Sequence, residues 1–442
     1  MKAHNSLCIL LLTAVQSFSI CHAFELSPNV NRTIRYSVSF NDVFEQALYS
    51  SRGYRAIQKE LLSNSELSRK ENNYYYPKVL ITGEIKENYG EPKKDPKTTA
   101  DIKLTLNSKV YGSQTKNRQD AAGNNVLSSD FTLMSKEIEV YFVVLNFLTK
   151  IERTRLYERQ AGEIGREIDI HYRQQLKASK EGIGTQSDEV DARLKKSRFS
   201  QTVFGITSKI DNYFRDLKSE TGFMVDGNTK RAYNKIGLEY KNILPLLERQ
   251  PTVLSEEVLV EKNFGVLSNI KSLEATKLSS EAGRERFKIM LTNENAVSLL
   301  AGSPTSGVKS GDTGNSFLSL KFELDVFDQA LERDKRSSLH LFEAEREKLF
   351  KRIEEMSAES EALVYRYETL VKKRSSINKQ IRLSKDLIIK QKKEIAIDKV
   401  KSIDIVDSLI SLNQSYISLM NIELEQFDII YRILEMKSER AF

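Results

Sequence analysis

The chain has 442 residues, 29% charged and 40% hydrophobic, with 7 prolines and no tryptophan. That balance excludes collagen-like, proline-rich and strongly disordered chains, and at roughly 150 residues per domain it leaves room for two to four units with real cores. Lys+Arg 68 against Asp+Glu 61 gives a formal charge of +7, too small and dispersed to argue for nucleic acid, and past the N-terminus no apolar run reaches about 18 residues, which excludes a polytopic helical membrane protein.

Residues 1–23 read as a secretory signal. Lys2 gives a positive start, Leu7 to Val15 an apolar core, and Cys21-His22-Ala23 a cleavage site after Ala23. Gln16 and Ser17 break the run before it could span as an anchor, and Ile20 stands where a lipoprotein signal needs a small residue. Cys8 and Cys21 both fall inside this segment. The expected mature chain has no cysteine, and its histidines are His171 and His340, so neither disulfides, thiol catalysis nor cysteine metal sites are expected.

A helix, then strands at about 77–88 and 100–111, open the first half (24–226). Val79, Ile81 and Ile85 share one face against Lys78, Thr82, Glu84 and Lys86. Ile102, Leu104 and Leu106 alternate with Asp101, Lys103, Thr105 and Asn107. Period two with one apolar and one charged face fits a soluble half-buried sheet. It also fits a membrane barrel with apolar residues toward lipid and charged ones, including Glu84 and Lys103, toward a wet lumen.

Two long helices follow, at about 113–180 and 187–220. No proline occurs from Lys97 to Leu244. Met134, Ile138, Tyr141, Leu145 and Leu148 form one seam, and Val140, Val144, Phe147 and Ile151 a second, about 100° away. Two seams need a neighbour on each side, as in the wall of a cylinder, or a wide stripe in a compact bundle. Gly182-Ile183-Gly184-Thr185 marks the turn between them, with Thr185 or Ser187 as cap. Gly222, Gly227, Pro245 and Pro251 mark an irregular middle, 227–255.

The second half (256–442) repeats the order: strands at about 294–301 and 316–327, helices at about 329–397 and 402–440. The strand near Asn295 to Leu300 is short and poorly patterned. Leu318, Leu320, Phe322 and Leu324 alternate with Ser319, Lys321, Glu323 and Asp325, so Lys321 and Glu323 are further lumen candidates. Leu104 matches Leu320 (320 − 104 = 216), and Asp188 matches Asp404 (404 − 188 = 216). One gapless offset at two distant places suggests two equivalent halves; helical patterns sharing a register by chance are the alternative.

Together these features resemble the TolC family of outer-membrane efflux proteins. Leu104 to Tyr111 and Phe322 to Asp328 look like that family's strand-to-helix stretch, Tyr76-Pro77-Lys78-Val79 like its first-strand opening, and Gly184 to Val190 like its first-half turn. Ile403-Asp404-Ile405-Val406-Asp407 resembles its second-half aspartate motif. The resemblance implies a mainly α fold with a small β part. A homotrimer would close a 12-stranded barrel in outer-membrane lipid and continue it as a periplasmic α-barrel. The partners would be a periplasmic adaptor and an inner-membrane transporter. It implies that Asp404 and Asp407 line the closed tip, with Asp188 beside them. The second-half turn departs from the family in lacking its glycine, and Lys399 and Lys401 could pair with Asp404.

His171 and His340 have no triad or metal-ligand spacing around them, and no glycine-rich phosphate loop follows a strand. An export duct with no chemistry or cofactor of its own is therefore expected, for small molecules or secreted proteins. A periplasmic coiled-coil adaptor or scaffold is the alternative; it explains the long helices but not the two-faced strands.

Overall fold

In the computed structural model, α1 (Phe40–Ser50) and α2 (Arg52–Asn72) lead to β1 (Lys78–Asn88) and β2 (Lys97–Gly112), then to α3 (Thr115–Lys180) and α4 (Gln186–Thr221). A 3-10 turn (Leu244–Glu248), α5 (Glu256–Lys262) and α6 (Phe264–Ala282) precede β3 (Phe287–Ala301) and β4 (Thr313–Leu324), and α7 (Gln329–Ile395) and α8 (Ser402–Met436) complete the chain. The structure describes residues 40–88, 97–182, 185–222, 244–282, 287–301, 313–324, 329–395 and 402–441. All of them belong to one unit formed by Ser39–Val225 and Gly237–Phe442. The expected signal at 1–23, the lysines at 399 and 401, and most of the irregular middle lie outside the described residues.

The offset persists in the structure. Helix α8 starts at 402 and α4 at 186 (402 − 186 = 216); β4 starts at 313 and β2 at 97 (313 − 97 = 216). The fold is mainly helical, with a small sheet built from two repeats.

The strands pair in one antiparallel sheet, in the order β1-β2-β3-β4. The strand expected at about 294–301 begins at Phe287, seven residues earlier. Its alternation was masked because Met290 sits among the polar positions, and Asn293 and Asn295 among the apolar ones, so pairing with β2 and β4 defines it rather than its own pattern. Strand β4 runs from Thr313 to Leu324 instead of 316–327, and residues 325–327 lie outside the described set.

Helix α3 has 66 residues, about 100 Å at about 1.5 Å per residue. Both of its expected seams are used. Ile138, Tyr141, Leu145 and Leu148, and also Val140, Val144 and Ile151, are buried. Met134 is exposed, at the end of the first seam. In the half nearer the sheet the helices pack in the row α2-α3-α6-α7; in the other half the row is α4-α3-α8-α7. Helices α3 and α7 thus run through both rows, while α2/α4 and α6/α8 are stacked short partners. This is a wall of helices, each inner one with a neighbour on both sides.

Two helix ends have backbone geometry that demands glycine. Gly182, after α3, has φ +73°, and Gly222, closing α4, has φ +72°. A Cβ at Gly222 would lie 3.0 Å from the Ser50 carbonyl oxygen, so only glycine fits where α1 ends against α4.

Candidate functional site

The sheet has two chemically distinct faces, and register fixes them. Thr82 pairs with Lys103, Lys103 with Ala296 and Ala296 with Asn315; Lys288 pairs with Glu323 and Met290 with Lys321. Lys103, Glu294, Lys288, Lys321 and Glu323 therefore share one face. Ile81, Leu104, Leu106, Ile289, Leu291, Leu318, Leu320 and Phe322 share the other. The expected candidates Lys103, Lys321 and Glu323 fall together on the polar face. Glu84 pairs through its backbone with Asp101 in the same register, but its side chain lies outside the described residues.

Polar side chains are tied across strands. Lys103 is ion-paired with Glu294, and Glu323 with both Lys288 and, at 2.7 Å, Lys321. Thr105 is only 8% exposed on this face, whereas Leu104 and Leu106 beside it are each 37% exposed on the other. Among the described residues no helix packs extensively on the apolar side: Ile81 is 70% and Leu318 68% exposed. A soluble half-buried sheet would cover exactly these residues, so that expectation fails for the single chain.

A β-bulge re-aims one aromatic. Lys109 pairs with Met290 but the next pair is Tyr111 with Ile289, leaving Val110 extra. Without the bulge Tyr111 would join Lys109 on the polar face; with it, Tyr111 reaches the apolar face and lies 5.7 Å from the Phe287 ring. Together with Phe322, these aromatics ring the helix-facing end of the apolar band. The preceding turn is fixed by Ser108 donating to the Tyr75 carbonyl at 3.1 Å and by the Lys109 ammonium 4.0 Å above the Tyr74 ring.

At the opposite end the four long helices meet in one apolar core that includes Ile168, Phe199, Ile388, Ile405 and Leu409. Asp188 caps α4 in a reciprocal box: its N–H donates to Thr185 Oγ1 at 3.2 Å, and the Thr185 N–H donates to its carboxylate at 3.2 Å. Asp404 is exposed in the first turn of α8, and Asp407 one turn on is exposed too. The partner that sequence reading missed is Lys195. Its ammonium lies 2.7 Å from Asp407 and 2.8 Å from Asp191, which occupy equivalent positions in the two repeats (407 − 191 = 216). Burial alone would lower its pKa, but hydrogen bonds and charge attraction from the two carboxylates outweigh that and raise it. The Asp191–Lys195 spacing of four was visible in the sequence; the cross-helix partner was not. Lys196–Asp169 at 2.7 Å and Lys392–Glu167 at 2.8 Å tie the same end further.

Midway along the wall lies a second feature that sequence reading missed. Glu423 of α8 is 5% exposed and ion-paired with Arg153 of α3 at 2.5 Å and Arg374 of α7 at 3.4 Å. Around it, Tyr157 donates to the Asn413 side chain at 2.9 Å, and Thr149 and Tyr431 share a 2.8 Å hydrogen bond. These polar residues interrupt apolar seams, which was their only sequence signal. Among the described residues no group of three or more His, Cys, Asp and Glu side chains is placed to hold a metal, and no helix is long and apolar enough to cross a membrane.

Solved structures match this architecture nearly end to end. The outer membrane protein VceC of Vibrio cholerae aligns with a TM-score of 0.72 at 12% identity, over 90% of this chain and 96% of that one. The Campylobacter jejuni CmeC outer membrane channel aligns at 0.70 and 13%, over 91% and 87%. The open state of the Neisseria gonorrhoeae MtrE channel aligns at 0.69 and 12%, over 90% and 89%. The chain has the fold of the TolC-like outer-membrane channels. No protein-family model matches it, and no curated protein does.

Proposed function

We propose that this chain is one third of an outer-membrane channel-tunnel, a duct without catalytic chemistry. It would pass small molecules or secreted proteins from an inner-membrane transporter and its periplasmic adaptor to the outside. The observation that carries the reading is the open sheet: among the described residues its apolar face is left uncovered, and β1 and β4 each pair on one side only. Lipid covers such a face and barrel closure removes such edges.

Equivalent positions in the two repeats support closure by copies of the same chain. Val406 and Met420 of α8 are 2% and 1% exposed, buried in the helix wall. Their equivalents on α4, Val190 and Phe204, are 63% and 77% exposed at the end of the row. Helix α7, at the other end, exposes Tyr365, Leu383 and Leu387. A next copy presenting α7 to α4 would repeat inside the ring the contact already made between α3 and α8. Such head-to-tail contacts close a ring. Three copies give the twelve strands expected from the family resemblance.

In this reading Asp404 and Asp407 supply six carboxylates at the tip, with Asp188 nearby, and Lys195 restrains Asp407 against α4. Like charges converging in a narrow opening attract and hold cations. The test is planar-bilayer conductance of the detergent-extracted protein. A heat-modifiable trimer should conduct, multivalent cations should block it from the tip side, and Asp404→Ala with Asp407→Ala should relieve that block. Block unchanged by the double substitution would remove the tip assignment. Release of a soluble single chain by salt washing would instead favour the scaffold reading.

A further inference from the structure

The repeat offset holds at the level of bonded side chains. Thr207 of α4 donates to Glu158 of α3 at 2.7 Å, and Glu423 of α8 is ion-paired with Arg374 of α7 at 3.4 Å. The two pairs occupy equivalent places (374 − 158 = 216; 423 − 207 = 216), so α3 packs on α4 as α7 packs on α8. The α3–α8 joint has no such counterpart among the described residues, because α4 and α7 stand at opposite ends of the row. Its polar links are Thr149 with Tyr431 at 2.8 Å, Lys150 with Asp428 at 3.2 Å, Arg153 with Glu423 at 2.5 Å and Tyr157 with Asn413 at 2.9 Å. Shifted by 216, the α3 members become Tyr365, Arg366, Thr369 and Lys373 on α7. The α8 members become Arg215, Asn212, Thr207 and Ser197 on α4. All eight of these side chains are exposed.

We infer that a second copy of this chain docks its α7 against α4 in this register, through an interface that keeps the geometry of the α3–α8 joint but none of its ion pairs. The inference rests on the duct reading, which sets copies side by side. Tyr365 of one copy then meets Arg215 of the next, Arg366 meets Asn212, Thr369 meets Thr207 and Lys373 meets Ser197. None of these pairings joins opposite charges: two hydroxyls stand where Arg153 faces Glu423. Arg366 is already held by Glu425 of its own chain at 2.6 Å, and Arg215 by Asn212 at 2.5 Å. Apolar burial therefore carries the contact. Phe204 and Ile377 stand where Met420 and Ala161 share a core cluster, and exposed Leu387 stands where His171 is buried. The row α4-α3-α8-α7 thus continues from one copy into the next with a single repeating packing geometry.

The experiment uses the full chain extracted in detergent. Its own cysteines, Cys8 and Cys21, lie within residues 1–23, and the protein without introduced cysteines is the control. Thr207→Cys with Thr369→Cys, treated with a short bis-maleimide, should give covalent dimers and trimers on denaturing gels. The yield should exceed by about fivefold or more that of Thr207→Cys with Ala362→Cys or with Ser376→Cys, whose α7 positions are displaced by about 10 Å along the helix. In a second arm, Thr207→Glu with Thr369→Arg rebuilds the Arg153–Glu423 pair between copies. Each single substitution should lower the temperature at which the trimer separates, and the double should recover the loss. In an assembled trimer, cross-linking of a displaced pair at equal or greater yield overturns the register while leaving the duct intact. So does a double charge variant no more stable than its weaker single. The charge pair decides the question if the cysteine variant does not assemble. A protein that runs as a single chain in detergent, with no cross-link from any pair, overturns the duct reading itself and the contact with it.

Discussion

His171 sits on α3 near its end away from the sheet, 8% exposed, with Nδ1 2.9 Å from the Gln174 side-chain oxygen. Facing groups are Glu167 and Gln174 on α3, Lys392 on α7 and Ser402 on α8, which donates to Gln174 at 3.5 Å. Burial lowers the His171 pKa; the Gln174 hydrogen bond opposes this, Lys392 adds to it and Glu167 opposes it. A folded value below the unfolded one means its contribution is complete above about pH 6.5 and is lost as pH falls through the folded value. We predict that hydrogen-exchange protection around 165–175, corrected for the intrinsic pH dependence of amide exchange, falls between pH 7 and pH 5. His171→Leu, the residue at the equivalent position 387, should flatten that dependence; an unchanged slope would contradict it. Lys195 has the opposite sign. Its raised pKa keeps the ammonium of the Asp191–Lys195–Asp407 link charged through neutral pH, and that charge is lost as pH rises through the raised value.

At the scale of elements, Glu423 fixes the lengthwise register of three helices. Apolar seams alone allow α8 to slide by a turn, since leucines and isoleucines repeat along it. A buried carboxylate between two guanidiniums from α3 and α7 satisfies its charge in one register only. Glu423→Ala leaves Arg153 buried without its counter-charge, with Arg374 only partly buried beside it, and should cost about 3–5 kcal/mol. Melting followed by circular dichroism in detergent checks this. Glu423→Met combined with Arg153→Met should lose less than Glu423→Ala, because removing both charges of a buried pair is cheaper than stranding one. Equal losses would mean that packing volume, not charge, decides.

For the whole molecule, the exposed stripe Val190, Leu194 and Phe204 on α4 is the test of assembly. Burial of Val406 and Met420, and partial burial of Ile410, in the equivalent places on α8 gives the expected depth of the missing contact. Phe204→Asp should abolish the heat-modifiable trimer on unheated gels while leaving helix content intact. A trimer of undiminished heat stability would place the contact between copies elsewhere. The same substitution at Met420 should instead unfold the helix wall, because that side chain is buried within the chain.

Sequence alone determined the element types, the repeat offset and most of the apolar and polar faces, because period two and double-seam helical patterns are local and repeat many times. Val79 to Ile85 and Ile138 to Ile151 needed no partner to be read. Tertiary structure decided what depends on a second strand or helix. It gave the early start of β3 at Phe287, the bulge that turns Tyr111 outward, and the convergence of Asp191 and Asp407 on Lys195. It also placed Glu423 between Arg153 and Arg374. Each depends on at least one pairing across more than 100 residues of chain, and no local period encodes which distant side chain will meet it.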